Sequence, residues 1–244
     1  MSLAEQYFET VRRQIERIGE TQFELIQQVG ANLAEVLIGE GWVYAFGTGH
    51  SHMLAEELFY RAGGLARIKP ILVSPLMLHE SASESSVLER DPAWVNKILN
   101  RYPMQLGDML LIASNSGRNA VPVELAMRAN ALDVPVVALI NREHSEAFPS
   151  RHPSGKRLGD VADIVIDNCG VAGDACVEVP GTGLATGAAS TVTGALVFEM
   201  MACHAIDVAL ARGWKAELFC SSNAGREGHN EALIERYRSL VEHL

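Results

Sequence analysis

Several features are scarce in this chain, and each scarcity closes off a class of protein. Cysteine comes first. Cys169, Cys176, Cys203 and Cys220 are the only four, and none forms a CxxC pair. With no signal peptide ahead of them, reduced thiols in a cytoplasmic protein are expected. Positive charge is also short: Lys and Arg total 20 against 30 Asp and Glu, a formal net charge of −10. A nucleic-acid binder would show a basic field, so that class is set aside. An anionic small ligand is not, because helix N-termini and a few local cations hold phosphate even in an acidic protein. A convincing membrane span is missing too. The longest nearly uncharged stretch, residues 175–200, is interrupted by Glu178 and Glu199 and is rich in Gly, Thr and Ser. No long repeat or low-complexity segment is present. The remaining composition, 48% hydrophobic and 20% charged over 244 residues, suits a single domain. It divides into a helical extension (1–38), a core (39–212) and a C-terminal tail with a helix (213–244).

The core is organised around residues 108–124. The apolar run Met109-Leu110-Leu111-Ile112-Ala113 breaks into Ser114-Asn115-Ser116-Gly117-Arg118-Asn119 and resumes as a helical pattern over 120–132. A near-continuous apolar run is what a strand of a parallel sheet looks like when both its faces are covered. A polar, glycine-containing turn between such a strand and a helix suits an anion, since the first N–H groups of the helix lack partners and its dipole favours negative charge. Asn119 is placed to cap the helix, and Pro122 falls in the first turn, where its missing N–H costs little. Ser114, Ser116 and Asn119 add side-chain donors. The plainer reading is a strand–turn–helix whose serines only cap.

In chain order, residues 2–38 carry apolar positions at helical spacing, with Gly19 and Gly30 as candidate bends. A strand at 41–46 runs into Gly47-Thr48-Gly49-His50-Ser51-His52 and a helix over 53–62. The dinucleotide pattern GxGxxG is broken, because position 52 is His52. What remains is a second polar turn, where Thr48 and Ser51 can donate and Gly47 and Gly49 permit close approach. His50 and His52 have no third ligand fixed by spacing, so hydrogen bonding or exposure is the simpler role. A strand at 67–73 leads into a long polar loop, 74–91, in which His79 and Glu80 form a candidate acid–base pair; the alternative is an acidic lid without chemistry. After a short helix at 93–99 and the strand already described, strands follow at 134–140 and 163–167. This alternation predicts a doubly wound parallel sheet. If the order is 2-1-3-4-5, the turns at 47–52 and 114–119 flank the switch point where ligands bind. Residues 181–187 read as a flexible loop. Residues 188–212 read as a buried or interfacial helix in which His204 and Asp207, at i and i+3, can touch. The tail at 219–230, with His229 and Asn230, is either a solvated loop or a flap over a site, and a helix spans 231–241.

GTGHS at 47–51, SNSGRN at 114–119 and the apolar helix after a TG-rich loop resemble the sugar isomerase (SIS) domain over residues 42–212. The organisation is most similar to phosphoheptose isomerase-like members and to stand-alone bacterial SIS proteins. That resemblance implies a flavodoxin-like five-stranded parallel sheet of order 2-1-3-4-5, helices on both faces and an N-terminal helical extension. It implies a homodimer or homotetramer with its site at the subunit interface. It also implies a phosphorylated sugar whose phosphate is held by Ser114, Ser116 and Asn119, with Ser51 near the sugar; with the two turns as read above, the expected binding set is Gly47, Thr48, Gly49, Ser51, Ser114, Asn115, Ser116, Gly117, Arg118 and Asn119. The family commonly has Ser or Thr where Asn119 stands. For catalysis, Glu57 and His204 are similar in kind to the glutamate and histidine of phosphoheptose isomerases, although Glu57 follows Ser51 a turn early. Glu80 is similar to the glutamate that an etherase of the family places after its second strand. The base is therefore Glu57 or Glu80. The implied reaction is aldose–ketose isomerisation by proton transfer through an enediolate, with no cofactor or metal required. A non-catalytic phosphosugar sensor and a phosphosugar etherase or lyase are the rival readings.

Overall fold

The computed structural model describes residues 1–223 and 228–244; residues 224–227, within the polar tail segment, lie outside the described residues. Helices α1 (Leu3–Thr21) and α2 (Phe23–Ile38) come first. Ser2 and Glu5 form a reciprocal capping box at the start of α1. The two helices part at Gln22, and neither expected glycine bends the chain. Thr21 returns its hydroxyl to the Arg17 carbonyl at 2.7 Å, a bond that competes with the helical ladder. The Gln22 side chain turns away to accept from the Asp167 amide at 3.1 Å. Gly30 lies within α2, where a Cβ would stand 2.9 Å from both His204 Cβ and the Met201 carbonyl. Its missing side chain is what lets a later helix lie close.

The strands are β1 (Val43–Gly47), β2 (Ile68–Ile71), β3 (Met109–Ala113), β4 (Val136–Ile140) and β5 (Ile164–Asp167). They form one parallel sheet in the order β2-β1-β3-β4-β5. All five residues of β1, β3 and β4 are buried, as a sheet covered on both faces requires. One covering layer comprises α2, α3 (His52–Leu58) and α8 (Ser190–Ala211), packed on Ala45, Leu111, Leu139 and Ile166. The other comprises α5 (Trp94–Arg101) and α6 (Ala120–Asn130), packed on Phe46, Leu110, Ile112 and Ala138. Helix α1 is tied to the first layer by buried Gln14, whose amide donates to the Asn168 carbonyl at 2.7 Å and to Thr193 Oγ1 at 3.3 Å.

Two segments read as loops carry regular structure. Residues 74–91 hold a 3-10 turn, Ser74–Leu76, and helix α4 (Ala82–Leu88), capped by Ser81. Residues 181–187 belong to an antiparallel hairpin, β6 (Ala175–Val179) with β7 (Leu184–Ala188), rather than to a flexible loop. A short helix α7 (Arg142–Ala147) follows β4, and α9 (His229–Tyr237) closes the chain. Helix α8 is, by length and composition, long and apolar enough to cross a membrane. Here Val197, Met201, Ala205 and Ala209 are buried in the sheet's helical layer. All four cysteines are free thiols.

Candidate functional site

Two turns meet at the C-terminal ends of β1 and β3, the strands on either side of the point where the strand order reverses. The turn after β1 needs Gly47, because a Cβ there would stand 2.3 Å from the Ser51 carbonyl oxygen. This tight return places Thr48, which is buried, and a 3-10 turn, Gly49–Ser51, ahead of α3.

The turn after β3 is the more open. Its first amide, Ser114, donates to the Leu139 carbonyl at 3.0 Å and continues the sheet. Gly117, in the left-handed region at φ 59°, donates to the Ser114 carbonyl at 2.9 Å. The amides of Asn115, Ser116, Arg118 and Asn119 donate no bond among the described residues. A buried turn rarely leaves so many adjacent N–H groups without partners, and a concave run of them is an anion-binding geometry. Asn119 occupies the N-cap position with extended backbone, but its side chain makes no capping bond. Its oxygen accepts instead from the Arg151 guanidinium at 2.8 Å. This corrects the expectation from local sequence, and the reason is tertiary: Arg151 lies on the loop beyond α7. Asn115 is fixed from the other side, where Asn168 Nδ2 donates to its Oδ1 at 2.8 Å.

Ser51, Ser114, Asn115, Asn168, Ser190 and Thr191 line a small crevice between the two turns and the start of α8. The N-terminus of α8 is already neutralised. Asp174 accepts from the Ser190 amide at 2.9 Å and from the Ser190 hydroxyl at 2.7 Å. The N-terminus of α6, whose N-cap Asn119 makes no capping bond, is not closed in this way.

One residue overlooked in the sequence stands at the centre. Glu89 follows α4 and accepts the Thr48 hydroxyl at 2.6 Å, while its own carbonyl accepts the Val121 amide of α6 at 3.0 Å. It therefore touches both turns. Burial pushes its carboxyl above the ordinary glutamate value, against the pull of Thr48, Asn119, Arg151 and Arg90. Nothing in the acidic, serine-rich segment around it distinguishes Glu89 from its solvated neighbours.

The residues nominated for catalysis do not gather within one chain. Glu57, on α3, is ion-paired with Arg61, which also stands 3.2 Å from Glu199 of α8. Glu80 is exposed, and its neighbour His79 lies 3.3 Å from the Ser74 hydroxyl. His204 sits against Gly30, fourteen residues beyond Ser190. At 1.5 Å per residue that is about 20 Å along the axis from the helix end that lines the crevice. No bond joins His204 to Asp207 among the described residues. His50 is exposed, whereas His52 is buried with Nδ1 on the Gly49 carbonyl and Nε2 3.6 Å from Glu56. His229 Nε2 donates to the Leu218 carbonyl at 2.7 Å, and Asn230 pairs with the Cys220 backbone. Both therefore anchor the tail.

Sheet order and the turns after β1 and β3 define a doubly wound α/β domain. The chain belongs to the SIS domain family, whose profile matches residues 6–141. It is 45% identical over 242 residues to a UPF0309 protein of Caldanaerobacter subterraneus subsp. tengcongensis, covering 98% of each chain. It is 39% identical over 236 residues to a UPF0309 protein of Listeria monocytogenes, covering 96% of each. Among solved structures it is similar in fold to a putative phosphosugar isomerase from Bacteroides fragilis, with a TM-score of 0.51, 15% identity, and 93% and 97% of the two chains covered. Phosphoheptose isomerase GmhA from Neisseria gonorrhoeae gives a TM-score of 0.48 at 19% identity, covering 82% and 96%.

Proposed function

We propose that this chain binds a phosphorylated sugar at the β1/β3 switch point and isomerises it between aldose and ketose forms. The observation that carries this is the set of unengaged amides at Asn115, Ser116, Arg118 and Asn119, beside an α8 terminus already closed by Asp174. A phosphate on those amides, with the Ser116 hydroxyl as a further donor, anchors one end of the ligand and leaves the sugar toward Ser51 and Thr48. Glu89 is the carboxylate best placed to move a proton between neighbouring carbons, because burial raises its pKa toward the range of a general base. Glu57 and Glu80 remain candidates for the second proton carrier. The similarity in fold to the putative phosphosugar isomerase of Bacteroides fragilis and membership of the SIS family agree with this reading.

The test is incubation with a panel of aldose phosphates in deuterated water, followed by NMR. Isomerisation through an enediolate produces the ketose and exchanges the C2 proton for deuterium; neither change in any phosphosugar that binds rejects the enzyme reading. The rival, a non-catalytic phosphosugar sensor, is favoured by one observation: Glu57, Glu80 and His204 do not converge within a chain. It predicts binding without product or exchange. We further propose that the protein works in the cytoplasm, and that it is a homo-oligomer; the apolar side chains that α1, β7 and α8 leave exposed support the second of these.

A further inference from the structure

The arginines are unevenly partnered. In an acidic chain most of them sit within 4.0 Å of a carboxylate, as Arg61, Arg67, Arg101 and Arg212 do. Among the described residues, Arg90, Arg118, Arg151 and Arg157 do not, and Arg17 is the only other. Three of those four, Arg90, Arg118 and Arg151, are not scattered. Arg118 lies inside the turn after β3, and its carbonyl accepts the Arg151 amide at 2.8 Å. Arg151 holds Asn119 at 2.8 Å. Arg90 adjoins Glu89, the residue that joins the two turns.

Structure alone leaves this cluster unexplained. The Arg118 guanidinium lies over the Phe148 ring at 5.3 Å, and its Nε is buried with no hydrogen-bond partner. A buried donor on a charged group is costly to leave unsatisfied. The loop carrying Arg151 is clamped from behind, with His152 Nε2 3.0 Å from Glu124 and its Nδ1 2.7 Å from the Ser154 hydroxyl. That clamp holds the Arg151 backbone without using its charge. Arg90 and Arg118 both lie near enough to Arg151 to disfavour its positive charge, and Glu89 is the one opposing carboxylate acting on it. Arg90 and Arg151 share the single carboxylate of Glu89, and with Arg118 beside Arg151 they make a local positive surplus in a protein of net charge −10. A lone phosphate on the turn amides already has its donors. Arginine's fixed fork suits a further carboxylate or phosphate.

We infer that Arg90, Arg118 and Arg151 form a second anion subsite beside the turn after β3, and that the ligand is a phosphosugar bearing a second anionic group, either a phosphosugar acid or a sugar bisphosphate. This rests on the phosphosugar reading and narrows it. A singly phosphorylated neutral sugar would leave the arginines facing water.

Isothermal titration of the whole protein with glucose 6-phosphate, 6-phosphogluconate and fructose 1,6-bisphosphate tests this at two salt concentrations. The readout is the affinity ratio of each doubly anionic ligand to the monophosphate. At least one ratio should reach roughly tenfold at low salt and shrink at high salt, and which one it is separates carboxylate from phosphate. Arg151→Gln should bring that ratio toward one. Arg90→Gln, at an exposed position with little bearing on folding, should move it the same way. Ser116→Ala should weaken all three ligands together and keep the ratio. Equal binding of all three by the wild type, or ratios unchanged in both arginine variants, overturns the second subsite while the phosphosugar reading stands. Failure of every phosphorylated ligand to bind overturns the phosphosugar reading, and this inference with it.

Discussion

The Thr48 hydroxyl donates to the Glu89 carboxylate at 2.6 Å and so ties the turn after β1 to the segment that runs against the start of α6. A charged acceptor makes this a strong bond, yet partial burial disfavours the charge that strengthens it. Glu89 is thereby a sensor of the site's own electrostatics: any anion placed near Arg151 favours its protonation further.

Glu89 should give a pH signature in stability. Its folded pKa lies above the ordinary glutamate value of 4.5. A carboxyl shifted in that direction stabilises the fold when protonated. Its contribution is complete below the unfolded pKa and is lost as pH rises through the folded pKa. Glu89→Gln keeps an acceptor for Thr48 and removes the charge. The variant should match wild type in urea unfolding near pH 4 and gain on it progressively above the ordinary carboxylate range. A stability difference that is flat with pH would contradict the assigned burial effect. In the isomerisation assay the same variant should bind phosphosugar and lose roughly 100-fold or more in turnover.

How much of this was legible in the sequence depends on how local each cause is. The runs 109–113 and 136–140 are apolar throughout because both sheet faces are covered, and they read correctly as strands. Both switch-point turns were visible for the same reason, as polar breaks after such runs. The hairpin was not. In β7, four of the five residues are exposed, so Leu184-Ala185-Thr186-Gly187-Ala188 shows no apolar alternation. Helix α4 is seven residues long and rich in serine, too short to display a period. The role of Glu89 depends on Thr48, and the loss of the Asn119 cap depends on Arg151, 32 residues further along. Neither partner is marked by spacing.

Ser116 tests the cradle alone. Its hydroxyl makes no hydrogen bond among the described residues, so Ser116→Ala should leave the unfolding midpoint of the free protein nearly unchanged. A hydrogen bond to a charged group contributes about 1.5–3 kcal/mol, which corresponds to a roughly tenfold to hundredfold loss of phosphosugar affinity. Thermal unfolding with saturating ligand reads it directly, since ligand at 100 times its dissociation constant adds about 2.7 kcal/mol to the wild type. An unaltered ligand shift would place the phosphate elsewhere.

Gly47 tests the other turn. Gly47→Ala brings a Cβ within 2.3 Å of the Ser51 carbonyl oxygen and 2.4 Å of its carbon, both backbone atoms that cannot rotate away. Overpacking of this kind costs about 1–3 kcal/mol. Chemical denaturation should show that loss, and ligand affinity should fall with it because Thr48 and Ser51 move. A variant as stable as wild type would mean that the turn after β1 is softer than its geometry indicates.

The outer surface of the helical layer bears on both assembly and catalysis. Phe8 of α1 and Leu184 of β7 are each 70% exposed, and Val192 and Leu210 of α8 are exposed near its two ends. Apolar exposure of this extent on neighbouring elements marks an interaction face, and a second copy of the chain covers it in the proposed oligomer. The same copy offers the one route by which a histidine equivalent to His204 reaches a cradle, because each chain's own His204 lies about 20 Å along α8 from the crevice. Light scattering during size exclusion should therefore report a dimer or tetramer. Val192→Arg combined with Leu210→Arg should shift it toward the monomer while circular dichroism stays unchanged. Turnover should fall in proportion to the monomer fraction, whereas phosphosugar binding at the turn after β3 should survive. A monomeric wild type removes the oligomer, and full turnover in a monomeric variant removes any part for a second chain's histidine.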